Sequence, residues 1–488
     1  MESEWFLLLG ATLLAWYIFA KKVVRNMNEW YYDNKLRKKE YPLPPGDMGW
    51  PIIGNLWTFY KYFSSGQPDT FINNIVNKNG RGGIYKTHLF WKPGVIITTP
   101  SICKKILADD DVNFTLGYPK SLAKLTHIRK KKIKHRNFKR LIMAPMVGHN
   151  ALAMYLDCIE DIVIDKLEEL SSMKHPIELL NETRNITFKV IIHIFMGPFD
   201  QAIFKKCGDL FSIMSTGLYS IVPINAPFFP FRKALQARMK LNKVVESIIE
   251  ERRKMIENGK IREKKYFVDI LLEMDDDMGQ KLEDGVIIDS LVMLLFGGHE
   301  TSATTMMLSI TYLTQNPLCL KKAKEEQEEI IKARPSSQKG LSITEIKKMV
   351  YLSQIIDETL RLGSNLFSIF RQTIKDVNIN GYCIPKGWKV MVWTRAISMD
   401  PQYYSNPELF NPSRWDDYNP TTGTFIPFGA GPRLCPGNDL ARFTITIFLH
   451  YFVLNYKLER INSECPFTNL PIPKPIDNCL ANVVKLGS

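Results

Sequence analysis

The chain has 488 residues, with 64 Lys and Arg against 50 Asp and Glu, so its formal net charge is +14. Hydrophobic residues make up 45% of it and charged residues 23%, a mixture that excludes disordered and collagen-like proteins. Eight cysteines are scattered over this length, and no two are spaced as Cys-x-x-Cys. This pattern argues against a disulfide scaffold, zinc ribbons, iron–sulfur clusters and thioredoxin-type sites.

The amino terminus carries sixteen uncharged, mostly apolar residues from Trp5 to Ala20. As a helix this segment is about 24 Å long, and flanking residues extend it towards the thickness of a bilayer. Acidic residues precede it and basic residues follow it, so we expect residues 1–24 to be an uncleaved membrane anchor that leaves the rest cytosolic. A cleaved signal peptide is the alternative, but its first charges are basic, whereas Glu2 and Glu4 come first here.

A basic connector follows at 25–41, and a Pro-rich hinge at 42–51. Its prolines cannot continue a helix, which predicts a stiff elbow. No internal linker and no repeat of 20–50 residues interrupts the remainder, so we expect 42–488 to form one catalytic domain.

The coarse fold class follows from hydrophobic periodicity. From Ser101 to about Gln354, most windows carry apolar residues at helical spacing. Strand-like alternation is largely limited to Gly83–Pro100 and Asp376–Trp393. The sequence therefore predicts a mainly α protein with small β-sheets.

Residues 428–437 read Phe-Gly-Ala-Gly-Pro-Arg-Leu-Cys-Pro-Gly. A lone cysteine is usually a small buried hydrophobe, but Cys435 sits in a loop rich in glycine and proline. Such a loop lets backbone approach a flat group closely and points N–H groups at the sulfur, which favours thiolate. The planar guanidinium group of Arg433 is suited to binding a carboxylate.

This segment resembles the haem-binding signature of cytochrome P450 enzymes at every defining position, and the similarity extends over nearly the whole chain. The resemblance implies a cytochrome P450 fold behind a single N-terminal transmembrane helix. It also implies haem b with the Cys435 thiolate as axial ligand of the iron. No Gly-x-Gly-x-x-Gly follows a strand, so electrons are expected from NADPH through a separate cytochrome P450 reductase. The matching residues are Phe428, Gly429, Gly431, Arg433, Cys435 and Gly437.

Two further motifs strengthen the resemblance. Glu358 and Arg361 lie one helical turn apart and can pair, although such a pair alone is most often a surface ion pair. The family resemblance implies that Arg414 completes a buried Glu–Arg–Arg network that supports the haem loop. In Leu294–Thr305 two adjacent glycines each cost about 1 kcal/mol in a helix interior, which points to close approach or a local opening.

The residues that follow these glycines, Glu300 and Thr301, match the acid–alcohol pair with which the family delivers protons for oxygen activation. Without Cys435, a polar pair in a kinked buried helix would be the simpler interpretation. By the same resemblance, His135 and Lys139 are expected to contact the haem propionates, with Arg371 as a further candidate. His135 stands where the family normally has Trp, and the region 129–140 is strongly basic. A membrane-facing patch is the alternative for that region.

The chain further resembles the plant group that holds ent-kaurenoic acid oxidases and β-amyrin 11-oxidases, especially at Met154–Leu180, Ile310–Pro317 and Lys321–Ile330. This implies oxidation of an unactivated ring carbon of a polycyclic terpenoid. The first choice is C-11 of β-amyrin, with further oxidation to the ketone, and ent-kaurenoic acid is the alternative. The pocket for such a ligand should be apolar. The candidates from the family's substrate-facing segments are Leu295, Phe296, Gly297, Leu366, Phe367, Ile369, Cys479 and Leu480.

The positive charge does not indicate nucleic acid, because no nucleic-acid-binding motif accompanies it. It suits anionic lipid of the endoplasmic reticulum and an acidic flavoprotein reductase. Two other functions stay open at this point. One is a haem-thiolate isomerase or dehydratase, whose members generally lack the Glu–Thr pair. The other is a non-catalytic haem protein, which the basic region 129–140 suggests.

Overall fold

The structure is a computed structural model, and it describes residues 2–36, 40–109, 111–125, 149–198, 200–218, 224–259, 266–276, 279–416, 423–470 and 472–487. These residues are mainly helical with small sheets, which confirms the predicted class. The chain forms two units. Unit 1 comprises 1–118, 366–403 and 421–433, and unit 2 comprises 119–365, 404–420 and 434–488.

The helices in chain order are α1 (Glu2–Leu36), α2 (Leu56–Ser64), α3 (Pro68–Asn79), α4 (Pro100–Ala108), α5 (Lys120–Leu125), α6 (His149–Ser172), α7 (Leu179–Met196), α8 (Gln201–Leu218), α9 (Pro230–Glu257), α10 (Phe267–Glu273), α11 (Asp284–Gln315), α12 (Pro317–Lys332), α13 (Ile343–Lys348), α14 (Val350–Gly363), α15 (Thr394–Ser398) and α16 (Asn438–Asn455).

The strands in chain order are β1 (Gly46–Asp47), β2 (Ile84–Leu89), β3 (Lys92–Ile97), β4 (Phe114–Leu116), β5 (Ile177–Glu178), β6 (Ile369–Thr373), β7 (Val377–Ile379), β8 (Tyr382–Ile384), β9 (Lys389–Val392), β10 (Tyr456–Arg460), β11 (Phe467–Thr468), β12 (Lys474–Pro475) and β13 (Leu480–Lys485).

Unit 1 is built on a six-stranded sheet with the order β1-β2-β3-β9-β6-β4. The two segments with strand-like alternation supply its centre, because β2 and β3 form an antiparallel hairpin and β3 pairs in parallel with β9. The β-branched side chains of Val95, Ile97, Val390 and Val392 are buried in the core of this unit. Burying a side chain of this size contributes roughly 1.5–3 kcal/mol, so the sheet fixes the position of the loops at its ends.

Helix α1 runs without interruption through the predicted anchor and most of the predicted connector. Its second half packs on unit 1 through specific polar contacts. Arg25 Nη2 donates to Asp47 Oδ2 at 2.7 Å, and Asn28 Nδ2 donates to the Trp50 carbonyl at 2.6 Å. Lys86 of β2 is 8% exposed and donates to Asp33 Oδ1 at 3.0 Å. The first part of the expected connector is therefore helical and docked.

Unit 2 is organised around α11, which is 32 residues long. Most of its side chains are buried, and it packs against α7, α9, α14 and α16. Among the described residues, α11 is the one single helix that is long and apolar enough to cross a membrane, and a bent α7–α8 pair passes the same test. However, 67% of the apolar window of α11 is buried inside the protein, as expected for a core helix. A membrane-spanning α1 stays a prediction.

Small sheets complete both units. In unit 2, β10, β13 and β5 form a three-stranded antiparallel sheet, and β11 pairs with β12. In unit 1, β7 and β8 form a separate hairpin. Cys479, immediately before β13, has a φ of +62° and follows Asn478 with a φ of +54°. Two successive left-handed residues other than glycine are uncommon, and they turn the chain sharply into β13.

Candidate active site

The cysteine-containing loop is shaped by glycines. Gly429 and Gly431 have φ values of +78° and +69°, in the region that favours glycine. A Cβ on Gly431 would overlap the Leu107 carbonyl, so no other residue fits there. Gly437 caps the amino end of α16, and a Cβ on it would meet nothing within 4 Å. The backbone next to Cys435 is thus open to close approach.

Cys435 differs in its surroundings from the five buried cysteines. All eight cysteines lie in the described residues, and none forms a disulfide. Burial raises the pKa of the Cys103 and Cys479 thiols, and it raises that of Cys207 to about 11, so these groups stay protonated. Cys435 is only partly buried and lies three residues before the first residue of α16. The partial positive charge of a helix amino terminus favours a thiolate at this position.

Unit 1 holds Arg371 and the part of the cysteine loop that precedes Leu434. Arg371 is 2% exposed in the strand β6, where its Nη1 donates to the Phe370 carbonyl at 3.1 Å. Arg433 follows the glycine turn and donates to Asp111 Oδ1 at 3.1 Å. Buried guanidinium groups suit carboxylates because their planar forks match them in shape and charge. Phe428 is partly buried in the same unit. His135 and Lys139 lie outside the described residues.

The three residues of the predicted Glu–Arg–Arg network meet in unit 2. Glu358 and Arg361 of α14 are both fully buried, and two N–H groups of Arg361 donate to the carboxylate at 2.9 and 2.8 Å. Arg414 Nε donates to Glu358 Oε1 at 3.1 Å. Trp415 Nε1 and the Asn411 backbone N–H add donors at 3.1 and 3.0 Å. A carboxylate with this many donors offsets the cost of its burial.

The same network fixes a distant stretch of backbone. Arg361 Nη1 donates to the Pro407 carbonyl at 2.6 Å, and Arg414 Nη1 donates to the Ser405 carbonyl at 2.9 Å. The Arg361 guanidinium also lies 5.2 Å from the ring centre of Tyr404. The helix α14 and the segment 404–415 are therefore held as one piece. Trp415, which stands beside the predicted Arg414, is an additional member of this network.

The two glycines of α11 have different surroundings. A Cβ on Gly298 would lie 2.8 Å from Ile191 Cδ1 of α7, so this glycine permits close helix packing. A Cβ on Gly297 would meet nothing within 4 Å. Thr301 stands one turn after Gly297, and its Oγ1 donates to the Gly297 carbonyl at 2.9 Å. The Thr301 hydroxyl thus lies on the open stripe of α11 and not on the stripe packed against α7.

Glu300 faces another way. Its carboxylate is buried and accepts from Arg184 of α7, through Nε at 2.9 Å and through Nη2. His299 Nε2 lies 3.9 Å from Glu300 Oε2, and burial lowers the pKa of His299 to about 4, so its ring is neutral. Successive helical residues point about 100° apart, which separates the Glu300 and Thr301 side chains. No sequence pattern points to Arg184, because 116 residues separate it from Glu300.

The structure divides the predicted pocket residues among several places. Leu295, Phe296 and Gly297 lie on α11 within two turns of Thr301, although Leu295 is fully buried. In unit 1, Leu366 is exposed, and Phe367 packs in an aromatic cluster with ring centres 5.0 Å from Phe63 and 5.0 Å from Trp393. Ile369 is buried in β6.

Cys479, another predicted pocket residue, lies against α11. It is fully buried, and its Sγ lies 3.6 Å from Thr311 Oγ1 of α11. Thr311 is ten residues after Thr301, which is about 15 Å along a helix. Leu480, the first residue of β13, is partly buried beside it. The assignment of Cys479 to the substrate pocket stays a prediction.

Comparisons with known proteins identify the family. A family model described as Cytochrome P450 matches residues 44–478. The chain belongs to the cytochrome P450 family. It is 61% identical to a β-amyrin 11-oxidase of Glycyrrhiza uralensis, with all of both chains covered. It is 42% identical to an ent-kaurenoic acid oxidase of Arabidopsis thaliana, over 99% of this chain and 98% of that one.

A solved structure agrees with the fold of this cytochrome P450. The retinoic-acid-bound cyanobacterial CYP120A1 superposes with a TM-score of 0.81 and 26% identity, covering 92% of this chain and all of that one. As a member of the family, the protein is a monooxygenase that uses haem b and electrons from NADPH through a reductase. The residues present fit this cofactor, because a partly exposed cysteine stands at a helix amino terminus with open space beside Gly437.

Proposed function

We propose that this cytochrome P450 oxidises β-amyrin at C-11, first to the alcohol and then to the ketone, in triterpenoid biosynthesis. The observation that carries the proposal is 61% identity, over the full length of both chains, to a β-amyrin 11-oxidase. The ent-kaurenoic acid oxidase of Arabidopsis is less similar, at 42% identity, so a diterpenoid acid is the second candidate.

In this proposal Cys435 holds the haem iron through its sulfur. Haem b, when bound, supplies the oxygen-activating chemistry, and thiolate ligation favours cleavage of the O–O bond. The helix amino terminus at Asn438 and the glycine-rich turn keep the sulfur ionised and accessible. Arg371 and Arg433, together with His135 and Lys139, serve the haem propionates. The network of Glu358, Arg361 and Arg414 keeps α14 and the segment 404–415 rigid.

Thr301 is proposed as the residue that hands a proton to the reacting oxygen. Its hydroxyl donates to the Gly297 carbonyl at 2.9 Å, so it must rotate away from that acceptor before it can donate elsewhere. Glu300 is proposed to relay the replacement proton: its carboxylate takes a proton from solvent and passes it to the Thr301 hydroxyl. Its carboxylate is held by Arg184, whose side chain is 25% exposed, so the pair links a buried acid to solvent. Release of Glu300 from Arg184 is then the step that moves the acid towards Thr301.

An apolar surface suits a rigid polycyclic substrate, because such a ligand offers few polar groups to satisfy. Leu295, Phe296 and Gly297 lie nearest to Thr301 along α11 and are proposed to face the substrate. From unit 1 we propose the same for Leu366, Phe367 and Ile369, and from unit 2 for Leu480. Cys479, which precedes Leu480 and is fully buried like Leu295, is proposed for the same role.

We further propose that residues 1–24 span the endoplasmic reticulum membrane once, and that 42–488 form the cytosolic catalytic domain. The uncharged sequence Trp5–Ala20 lies within the continuous helix α1, and basic residues follow it. The docked second half of α1 lies near apolar side chains that are unusually exposed, including Ile52 at 75% and Trp57 at 69%. These side chains are placed to contact lipid. The partner for electron supply is the NADPH–cytochrome P450 reductase.

The proposal is tested by expressing the full chain with a plant reductase in microsomes and supplying β-amyrin or ent-kaurenoic acid. The expected result is NADPH-dependent oxidation of β-amyrin at C-11 and no product from the diterpenoid acid. Oxidation of ent-kaurenoic acid alone would overturn the substrate assignment. Product formed without NADPH would instead indicate an isomerase or dehydratase.

A further inference from the structure

Asn365 joins two turns of α11 from outside the helix. It lies two residues after the end of α14, and its Nδ2 donates to the Thr301 carbonyl at 3.0 Å and to Thr305 Oγ1 at 2.8 Å. Thr305 Oγ1 in turn donates to the Thr301 carbonyl at 2.9 Å. These contacts form a closed triangle of the Asn365 amide, the Thr305 hydroxyl and the Thr301 carbonyl.

The triangle alters the helix at the turn that carries Thr301. In a regular helix that carbonyl accepts one bond, from the N–H four residues later. Here it receives two additional donors, and threonine hydroxyls that bond back to carbonyls in this way tend to bend a helix. On the other side of Thr301 stands Gly297, where no side chain restrains the helix and a Cβ would meet nothing. The turn that contains Thr301 is therefore unconstrained by packing on the Gly297 side and held by hydrogen bonds on the Thr305 side.

The position of Asn365 is itself fixed by the buried network of α14. The helix ends at Ser364, which has a left-handed φ of +43° and donates from Oγ to the Arg361 carbonyl at 3.0 Å. Arg361 is fully buried and paired with Glu358. One turn further along α11, Ser309 Oγ donates to Thr359 Oγ1 at 3.1 Å. Asn365 thus transmits the rigidity of α14 to the Thr301 turn.

We propose that Asn365 is a positioning residue for Thr301. Its amide holds the backbone carbonyl of Thr301 and thereby sets the direction of the Thr301 hydroxyl. This role requires no contact of Asn365 with substrate or haem. The inference rests on the proposed role of Thr301 in proton delivery. Without the amide, the turn relaxes, the hydroxyl is misdirected, and electrons are lost to peroxide instead of product.

The test uses the full chain with haem and reductase in membranes, in two variants of Asn365. Asn365→Leu keeps the approximate volume, and Asn365→Asp keeps the shape while removing both N–H donors. Ser309→Ala is the matched control, because it removes a hydrogen bond of the same seam between α11 and α14 eight residues from Thr301. Three quantities are measured: product formed per NADPH consumed, KM, and amide hydrogen exchange of the peptide that covers 299–307.

We expect both Asn365 variants to lower product per NADPH by about 3- to 10-fold, the range that corresponds to loss of one or two net hydrogen bonds. KM and the thiolate-type spectrum of the ferrous carbonyl complex should stay unchanged. Exchange across 299–307 should become faster by a similar factor, whereas Ser309→Ala should leave exchange there and the product ratio as in the parent. A merely structural role would lower haem content and leave the product ratio of the surviving enzyme intact.

Thr305→Val supplies a second arm, since it removes one corner of the triangle. The double variant Thr305→Val with Asn365→Leu should lower product per NADPH by less than the product of the two separate factors, because both changes act through the Thr301 carbonyl. Suppose that Thr301→Ala lowers product per NADPH but the Asn365 variants change neither this ratio nor the exchange of 299–307. This result would overturn the role of Asn365 and leave that of Thr301 intact. If Thr301→Ala keeps the parent's product per NADPH, the proposed role of Thr301 is wrong, and the role of Asn365 that rests on it is wrong too. If Asn365→Leu does not fold, Asn365→Asp decides by the same measurements.

Discussion

Arg184 donates hydrogen bonds to both carboxylate oxygens of Glu300, from Nε at 2.9 Å and from Nη2. This ion pair joins α7 to the central helix α11. The acid that precedes Thr301 in the sequence is thus held by a cation on another helix. Thr187, one turn after Arg184 on α7, strengthens the same contact by donating to the His299 carbonyl at 2.9 Å. The ion pair that joins α7 to α11 therefore includes the residue proposed to relay protons to Thr301.

Replacement of Arg184 by Leu should leave Glu300 buried without its cation. We expect the free energy of unfolding to fall by about 1–3 kcal/mol, less than for a fully buried pair because Arg184 is partly exposed. Chemical denaturation followed by circular dichroism measures it. Arg184→Lys keeps the charge and should recover part of the loss, and adding Glu300→Gln to Arg184→Leu should recover more. Equal stability of Arg184→Leu and the parent would contradict this account.

Glu358→Gln should be far more harmful. It removes the charge that Arg361 and Arg414 share, and leaves two guanidinium groups partly unpaired in the core. Breaking a buried pair from one side costs about 3–5 kcal/mol. We expect little folded protein with bound haem, measured by the ferrous carbonyl spectrum per unit of purified chain. Glu328→Gln is the control, since its 3.9 Å pair with Lys324 is exposed and should matter by less than about 1 kcal/mol.

The two glycines of α11 offer a matched pair. Gly297→Ala adds a methyl group that meets no atom, so the better helix propensity of Ala should stabilise the protein by about 0.5–1 kcal/mol. Gly298→Ala places its Cβ 2.8 Å from Ile191 Cδ1, and the resulting repulsion should offset that gain. Thermal unfolding should therefore rank Gly297→Ala above Gly298→Ala. The reverse order would mean that space at Gly297 is already filled.

Stability should decline in mild acid because of buried histidines. His450 of α16 lies 2.8 Å from Gln327 Oε1, and burial lowers its pKa to about 4. In the unfolded chain the His450 ring is protonated near pH 6.5, but in the native state it is protonated only near pH 4. Stability is therefore complete above pH 6.5 and is lost as pH falls towards 4, by up to about 3 kcal/mol per such histidine.

Urea denaturation at pH 7.5 and pH 5 measures this loss. His450→Gln should make the difference between the two pH values smaller. His175→Gln, at an exposed turn, is the control and should leave the difference as in the parent. An identical pH dependence in His450→Gln would show that this histidine does not govern it.

Docking of α1 on unit 1 can be tested through Lys86. It lies 3.1 Å from Glu29 Oε1 and 3.0 Å from Asp33 Oδ1, both on α1. Replacing both acids by their amides leaves the nearly buried ammonium without counter-charge and should cost about 1–2 kcal/mol, since the acids are themselves largely exposed. Adding Lys86→Met should restore the melting temperature. No recovery would indicate that the ion pairs do not hold the helix.

Local patterns predicted a large part of the fold. Periodicity predicted the long helices and the strand-like segment 83–100 that contains β2 and β3, because residues on a buried face recur at the spacing of the element. The pairing of Glu358 with Arg361 follows from one helical turn. The partners that sequence reasoning missed, Arg184 and Asn365, reach their targets across 116 and 64 residues. No local pattern encodes such tertiary contacts, and only their placement on packed helices reveals them.

The surroundings of Cys479 could not be predicted from the sequence. The left-handed pair Asn478–Cys479 turns the chain so that the thiol lies against Thr311 of α11. A positive φ at cysteine is rare, so the sequence does not indicate this turn. For α1, the sequence marked the apolar segment but not the docking of 25–36, which depends on the loop at 47–50.

The proposed bond between Cys435 and haem iron underlies every other functional assignment. Reduced microsomes that contain the full chain should, on addition of carbon monoxide, show the red-shifted absorption band of thiolate ligation, and Cys435→Ala should lose both this band and all product from β-amyrin. Full turnover by Cys435→Ala, or an unchanged band, would contradict it.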